Sequence, residues 1–450
     1  MTSLRLTFFA FLLLLSPFSL NAAEPLNAQE AILDNGMKLV VLENRRAPVI
    51  THMVWFYAGA ADEPRGVSGV AHYLEHMMFK GAKGLKNGEY SETVQRYGGR
   101  YNAFTGQDYT AYYVTVASKH INDIMALEAK RLQFLKPARE SFVNEREVVV
   151  EERRMRTENH PSARLREKTR AVLFSNHPYR FPVIGWKHEM LGLTYDDVME
   201  FYDVHYRPDN AVIVMAGDIN MAEAKALAQK HFSSWKAPEG VERPSRDWVK
   251  EPPRETSEYV TLTGEDISKE QWSRIYAAPS FGESKDISKI MARVVMAELL
   301  GGSKSSLMHQ DLVVNTKKAT SASASYDAFS RGPGVFGVSI TPADGVSLDD
   351  AENAYITLLK GVISKGISDN SLVRTKNRLK AETIYARDGI ENMAFLFGQL
   401  VMLDLDSSFF NDWGKYIDAV DEADVIDAMR EQLLYEYSVT GRLIPEGDVQ

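Results

Sequence analysis

No cysteine occurs among the 450 residues, which excludes disulfide staples, thiolate metal ligands and acylation at a lipobox-type cysteine. Any metal site must be built from histidine and carboxylate. An excess of positive charge is missing as well: 52 Lys and Arg stand against 61 Asp and Glu, for a formal net charge of -9. General nucleic-acid binding, which needs a basic surface, is therefore set aside. The acidic balance serves solubility, and gives a weak hint of a preference for basic partners, although net charge does not say where the charges lie. Low-complexity tracts are absent too. With 44% hydrophobic and 25% charged residues, the composition is that of a folded globular protein.

The apolar run Leu6 to Leu15 is too short for a comfortable membrane span. It follows Arg5 and precedes the small residues Asn21-Ala22-Ala23, so residues 1–23 read as a secretory signal peptide. The mature chain is expected to be soluble, unlipidated and periplasmic.

Length alone suggests two or three domains. From Ala31 the text reads as strands, with Asp34-Asn35-Gly36 supplying turn chemistry. Helical periodicity follows at 66–80, 89–97, 120–136, 140–158 and 163–174, interrupted by strand-like text at 102–118. A helix at 194–204, the strand "NAVIVMAGDI" and a helix at 221–234 close this half. A Pro-rich polar stretch at 236–258 reads as a linker, after which the order restarts. "WFYAGAADE" has a loose counterpart in "RIYAAPSFGE", and "NAVIVMAGD" in "SVTGRLIPEGD". The expectation is an α+β fold of two homologous domains, 24–235 and 259–450, arising by duplication. The second-half counterpart of the helix at 66–80 is expected near "LLGGSKSSLMHQDLVVNTKKATSASASY", which has no paired histidines.

The chemistry concentrates in "GVAHYLEHMMFKG". His72 and His76, four apart on a helix, share one face and can both reach a single ion, with Glu75 beside them. Two imidazoles, a carboxylate from elsewhere and a fourth place left to water form a catalytic zinc pattern. Zinc is the default metal, one per chain; the bland alternative is two helix histidines satisfied by neighbours. A third ligand is sought in "SFVNEREVVVEERRMRTEN", where Glu145 and Glu152 share a face with Val148 and Val149 between them. A buried carboxylate needs a partner, either a metal or an arginine. Glu151 points about 100° away, toward solvent.

H-x-x-E-H, a glutamate 76 residues beyond the second histidine, "GGRYNAFTGQDYTAYYV", "HPYRFPVIG" and "RPDNAVIVMAGDI" together make the chain resemble the inverzincin, or M16, metallopeptidases. The resemblance is most specific over residues 66–219, and the length is similar to that of short two-domain members whose subunits pair into a clam-shell. It implies that His72, His76 and Glu152 bind Zn2+, that Glu75 is the general base, and that Glu145 supports the site from behind. It also implies that Asn102, Ala103 and Phe104 lie on an edge strand that takes up a peptide substrate by main-chain pairing. Phe104, Tyr109, Tyr112 and Tyr113 are expected either to line pockets or to pack in the core.

One departure from the family pattern stands out. The Arg and Tyr that active members draw from a C-terminal-type domain fall here on Val313 or Val314 and on Thr320. The resemblance then implies a zinc endopeptidase subunit that works with a paralogous chain supplying that pair; a homodimer is the simpler assembly. Two other readings stay open, a catalytically silent assembly subunit of the same fold and a zinc hydrolase of cell-wall peptides.

Overall fold

The computed structural model describes residues 27–433 and 437–447; the expected signal peptide lies outside them. In the first domain β1 (Ala28–Ile32), β2 (Lys38–Glu43) and β3 (Val49–Phe56) precede helices α1 (Val70–Met77) and α2 (Glu89–Arg96). The strand-like text at 102–118 is a hairpin, β4 (Arg100–Thr105) and β5 (Thr110–Ala117). Gly106 N–H donates to Tyr109 O at 2.8 Å and closes its turn. Then come α3 (Ile121–Gln133), α4 (Arg139–Arg153), a π-helical turn at Arg154–Glu158, α5 (Pro161–Leu173), α6 (Lys187–Gly192), α7 (Tyr195–His205), β6 (Ala211–Gly217) and α8 (Met221–Phe232).

The second domain runs β7 (Glu258–Gly264), β8 (Gln271–Ala278), α9 (Ile287–Gly301), β9 (Ala319–Asp327) and β10 (Gly334–Pro342). Helices α10 (Leu348–Lys365), α11 (Asp369–Ala386), α12 (Ile390–Met402), α13 (Phe409–Ala419) and α14 (Glu422–Leu433) lead to β11 (Val439–Pro445).

The two sheets have orders β1-β2-β6-β3-β5-β4 and β7-β11-β8-β10-β9. Without β1 they are the same sheet: an outer strand parallel to its neighbour (β2 with β6, β7 with β11), then three antiparallel pairings ending on an edge strand, β4 or β9. This agreement in order and strand direction carries the duplication further than the loose text matches. It also corrects one expectation. The helix after β8 that corresponds to α1 is α9, which overlaps the text chosen from the sequence only at its first three residues.

Each domain lends a helix to the other's sheet. Helix α12 lies across β3 and β6, while α5 lies across β7, β8 and β11. Both faces of the first sheet are therefore covered, which is why β6 reads as continuous apolar text and is buried along its whole length. The exchange needs close approach: a Cβ on Gly398 would come within 2.1 Å of the Trp55 indole. Trp55 and Val214 from the first domain share one apolar cluster with Phe397 and Leu400 from the second. The 236–258 segment is irregular and strapped to the first domain rather than free. Glu251 accepts from the N–H groups of Ser175, Asn176 and His177, each at 2.8 Å, and Arg254 donates to Leu173 O at the end of α5.

Candidate metal centre

Helix α1 buries Val70, Ala71, Tyr73, Leu74 and Met77, which fixes its rotation and turns the other side toward an open cleft. Two features hold its start. Gly69, at φ +90°, crosses the loop at Gly185 so closely that a Cβ on Gly185 would meet Ser68 O at 2.3 Å. Glu63 accepts from the N–H groups of Gly69 and Ala71 at 2.8 and 2.9 Å, a carboxylate on the positive end of the helix. Burial pushes the Glu63 carboxyl well above the ordinary value. Sequence reading missed Glu63; its one signal was an acid just upstream of the helix. Behind α1, the Tyr73 hydroxyl donates to Phe142 O at 2.5 Å and sets α4 beside it.

His72, His76 and Glu152 meet between these helices, the one histidine–carboxylate cluster able to hold a metal among the described residues. Glu152 Oε2 lies 3.5 Å from His72 Nε2 and 3.3 Å from His76 Nε2. A tetrahedral zinc site with arms of ~2.0–2.1 Å has edges of about 3.3 Å, so Glu152 Oε2 stands about one such edge from each imidazole nitrogen, and the ligand atoms of the three residues lie within 4.8 Å of one another. Glu152 Oε2 is buried without a hydrogen-bond partner, an orphan that a cation would satisfy. Its other oxygen, Oε1, takes an ion pair from Arg156 at 2.8 Å, on the π-helical turn that follows α4. The donor set fits zinc: two imidazole nitrogens, one carboxylate oxygen, and no thiolate in reach.

Glu145 sits behind His76, with Oε1 2.9 Å from Nδ1, and Oε2 pairs with Lys80 at 2.5 Å. Burial pulls the His76 pKa down, but the carboxylates of Glu145 and Glu152 outweigh it and raise it to about 9. His72, more deeply buried, falls to about 4. Glu75 lines the same cleft, and its Oε2 accepts from the Thr105 hydroxyl at 2.6 Å. Burial raises its pKa, as suits a group that must take up a proton. The face between Glu145 and Glu152 differs from expectation: Val149 is buried, but Val148 is 51% exposed and looks into the cleft. Glu151 is half-exposed and pairs with Arg154.

The cleft, about 1620 Å3, is bounded by α1, β4, α4, α5 and, from the second domain, the end of β9, the loop after it and Gln399 of α12. Strand β4 is the free edge of its sheet. Counting back from the Gly106–Tyr109 bond, alternate N–H groups face outward, those of Thr105, Ala103 and Tyr101. The Asn102 side chain accepts from the Ala103 N–H at 2.9 Å, standing where a partner strand would bond. Phe104 packs its ring on Trp55 and Phe395, with centroids at 5.3 Å from each, so its side chain serves mainly the domain contact. Tyr112 is core, and Tyr109 stacks edge-on to Trp55 at 5.0 Å. Neither replacement at the missing Arg–Tyr pair has catalytic character: Val314 is exposed, and the Thr320 hydroxyl donates to Thr341 O at 3.3 Å.

Fold and donor cluster define a two-domain α+β protein with an inverted H-x-x-E-H helix at the wall of a cleft. Residues 39–186 match the family model "Insulinase (Peptidase family M16)", and residues 192–379 match "Peptidase M16 inactive domain". The chain belongs to peptidase family M16. It is 29% identical over 387 residues to "Zinc protease PqqE" of Helicobacter pylori, an alignment covering 85% of this chain and 86% of that one. A crystal structure of a Helicobacter pylori protease superposes with a TM-score of 0.88 at 26% identity, over 94% of this chain and all of that one. The "peptidase M16 inactive domain" structure from Pseudomonas fluorescens, at 15% identity and a TM-score of 0.82, covers 94% and 99% and shares the fold.

Proposed function

We propose that the chain is a zinc-dependent endopeptidase subunit that hydrolyses unfolded peptides held along β4. The observation that carries this reading is the 3.3–3.5 Å spacing of Glu152 Oε2 from two imidazole nitrogens, with Glu75 beside them on the same cleft. His72, His76 and Glu152 would hold zinc, which would supply Lewis-acid polarisation of the scissile carbonyl and lower the pKa of the attacking water. Glu75 receives the proton of the attacking water and delivers it to the leaving amine. Thr105 holds one Glu75 oxygen, so the other is free for that transfer. The outward N–H and C=O groups of Ala103 bind the substrate main chain, once Asn102 yields its bond.

Val313, Val314 and Thr320 in place of the expected Arg and Tyr favour a partner-dependent enzyme, with a paralogous chain closing the clam-shell and a homodimer as the simpler alternative. The same departure supports a second reading, a silent assembly subunit. In either case the residue 1–23 leader supports a periplasmic location; no described helix is long and apolar enough to cross a membrane. The test is hydrolysis of a fluorogenic peptide library by the zinc-loaded chain, alone and mixed with a paralogue lacking H-x-x-E-H. Turnover only in the mixture supports the heterodimer, equal turnover by the lone chain refutes it, and none in either favours the silent subunit.

A further inference from the structure

The cleft wall opposite the donor cluster carries a charge pattern that the overall acidity of the chain conceals. Helix α5 turns Ala163, Arg166, Glu167 and Arg170 toward the cavity, the spacing of one helical face. Arg180, from the turn that follows, lines it too.

None of these arginines makes an ion pair among the described residues, although the carboxylates of Asp327 and Asp108 act on Arg170 at longer range. Glu167 is already committed to Arg153, with bonds of 3.0 and 3.1 Å. Asp108 accepts from the Tyr179 hydroxyl at 2.5 Å and from the Arg331 N–H at 2.9 Å, which uses both its oxygens. Asp327 is the remaining carboxylate on this wall, and no ion pair within 4.0 Å joins it to an arginine among the described residues. Arg166 is exposed and without an ion-pair partner among them. Arg170 is more constrained: Nε donates to Tyr179 O at 3.0 Å, and the guanidinium stacks on Phe174 and Tyr179 at 5.5 and 5.4 Å. Its fork is thereby fixed, with both Nη groups unbonded among the described residues. A planar, pre-oriented guanidinium with free Nη groups is suited to bidentate capture of a carboxylate.

The wall also lies in the path of a bound peptide. Glu75 touches β4 at Thr105, and the turn beyond it carries Gln107 and Asp108, the latter bonded to Tyr179 beside Arg170. A strand added to β4 and continued past Thr105 runs to the α5 wall.

We propose that Arg166, Arg170 and Arg180 form a subsite for acidic side chains of the substrate, on the side of the scissile bond that faces the β4–β5 turn. The proposal rests on the peptidase reading for its substrate class, and it opposes the preference for basic peptides that net charge alone hints at.

The test measures binding without turnover. The full chain carrying Glu75→Gln is titrated with two fluorescent peptides that differ only in Asp and Glu against Asn and Gln. The acidic peptide is expected to bind at least about tenfold tighter at low salt, an advantage that shrinks as salt screens it. Arg166→Gln and Arg170→Gln should each cut the advantage severalfold with the neutral peptide unaffected, and Arg170→Lys should keep part of it. Arg166 contacts no carboxylate, so its variant reports even where Arg170→Gln disturbs Tyr179. Equal affinities in the parent, an advantage that survives in the double variant, or no binding of either peptide would overturn the subsite. Hydrolysis of the library with no acidic preference refutes the subsite and leaves the peptidase reading standing. Acidic binding without hydrolysis in any mixture does the reverse.

Discussion

His76 Nδ1 lies 2.9 Å from Glu145 Oε1, and this bond leaves Nε2, 3.3 Å from Glu152 Oε2, as the nitrogen turned into the donor cluster. Glu145 therefore fixes the ring without competing for the ion. Glu145→Gln is expected to weaken zinc binding by roughly 10- to 100-fold, read by chelator competition. The fully loaded variant should keep most of its kcat, because Glu75 is untouched; a variant with unchanged zinc affinity would remove Glu145 from the site.

Glu75→Gln should bind zinc as tightly as the parent and lose roughly 10²- to 10⁴-fold in kcat, the usual scale of a general base. Metal content and turnover measured on one preparation separate the two effects. Thr105→Val, which removes only the hydroxyl on Glu75 Oε2, should lower kcat more than it raises KM.

Zinc should stabilise the fold, because it binds a site that exists only when α1 and α4 are packed together. At 100 times its Kd the gain is about 2.7 kcal/mol, visible as a Tm that falls on adding chelator. Glu152→Ala should abolish that difference, and a chelator-sensitive Tm in this variant would point to a metal elsewhere.

Gly398→Val should separate α12 from the sheet of the first domain, because even its Cβ overlaps the Trp55 ring. Overpacking of this kind costs about 1–3 kcal/mol, to be read as a lower midpoint in urea. Gly192→Ala, where a Cβ meets nothing within 4 Å, is the matched control.

Acid should weaken the fold through His52. Its ring is buried with neither nitrogen bonded, and burial lowers its pKa from 6.5 to about 4. The folded state then binds fewer protons than the unfolded one. Its contribution is fully present above pH 6.5 and is lost as pH falls toward 4, about 3 kcal/mol in all. In His52→Leu the stability curve over that interval should be flatter; an unchanged slope would mean that the ring titrates normally. His72, His177 and His205, also lowered to about 4 by burial, add to the slope that remains.

The paired histidines were legible because they obey a local rule. Positions four apart share a helix face whatever the rest of the chain does, so His72 and His76 could be paired on sight. The two-turn spacing of Glu145 and Glu152 put both on one face as candidates, and only the family resemblance singled out Glu152 as the ligand. The strand texts likewise announced an α+β chain, and the strand-like text at 102–118 is resolved by the structure into two strands joined by the short turn Gly106–Tyr109.

What the sequence by itself determined, then, is which side chains could bind a metal and on which helices they stand, since helical periodicity is a property of neighbours along the chain. Tertiary structure alone decided the remainder. It chose which carboxylate oxygen faces the histidines, exposed Val148 while burying Val149, anchored α1 through Glu63, crossed α5 and α12 between the domains and gathered three arginines on one wall. Those outcomes depend on contacts between segments tens to hundreds of residues apart, where burial and packing, rather than local propensity, select the arrangement.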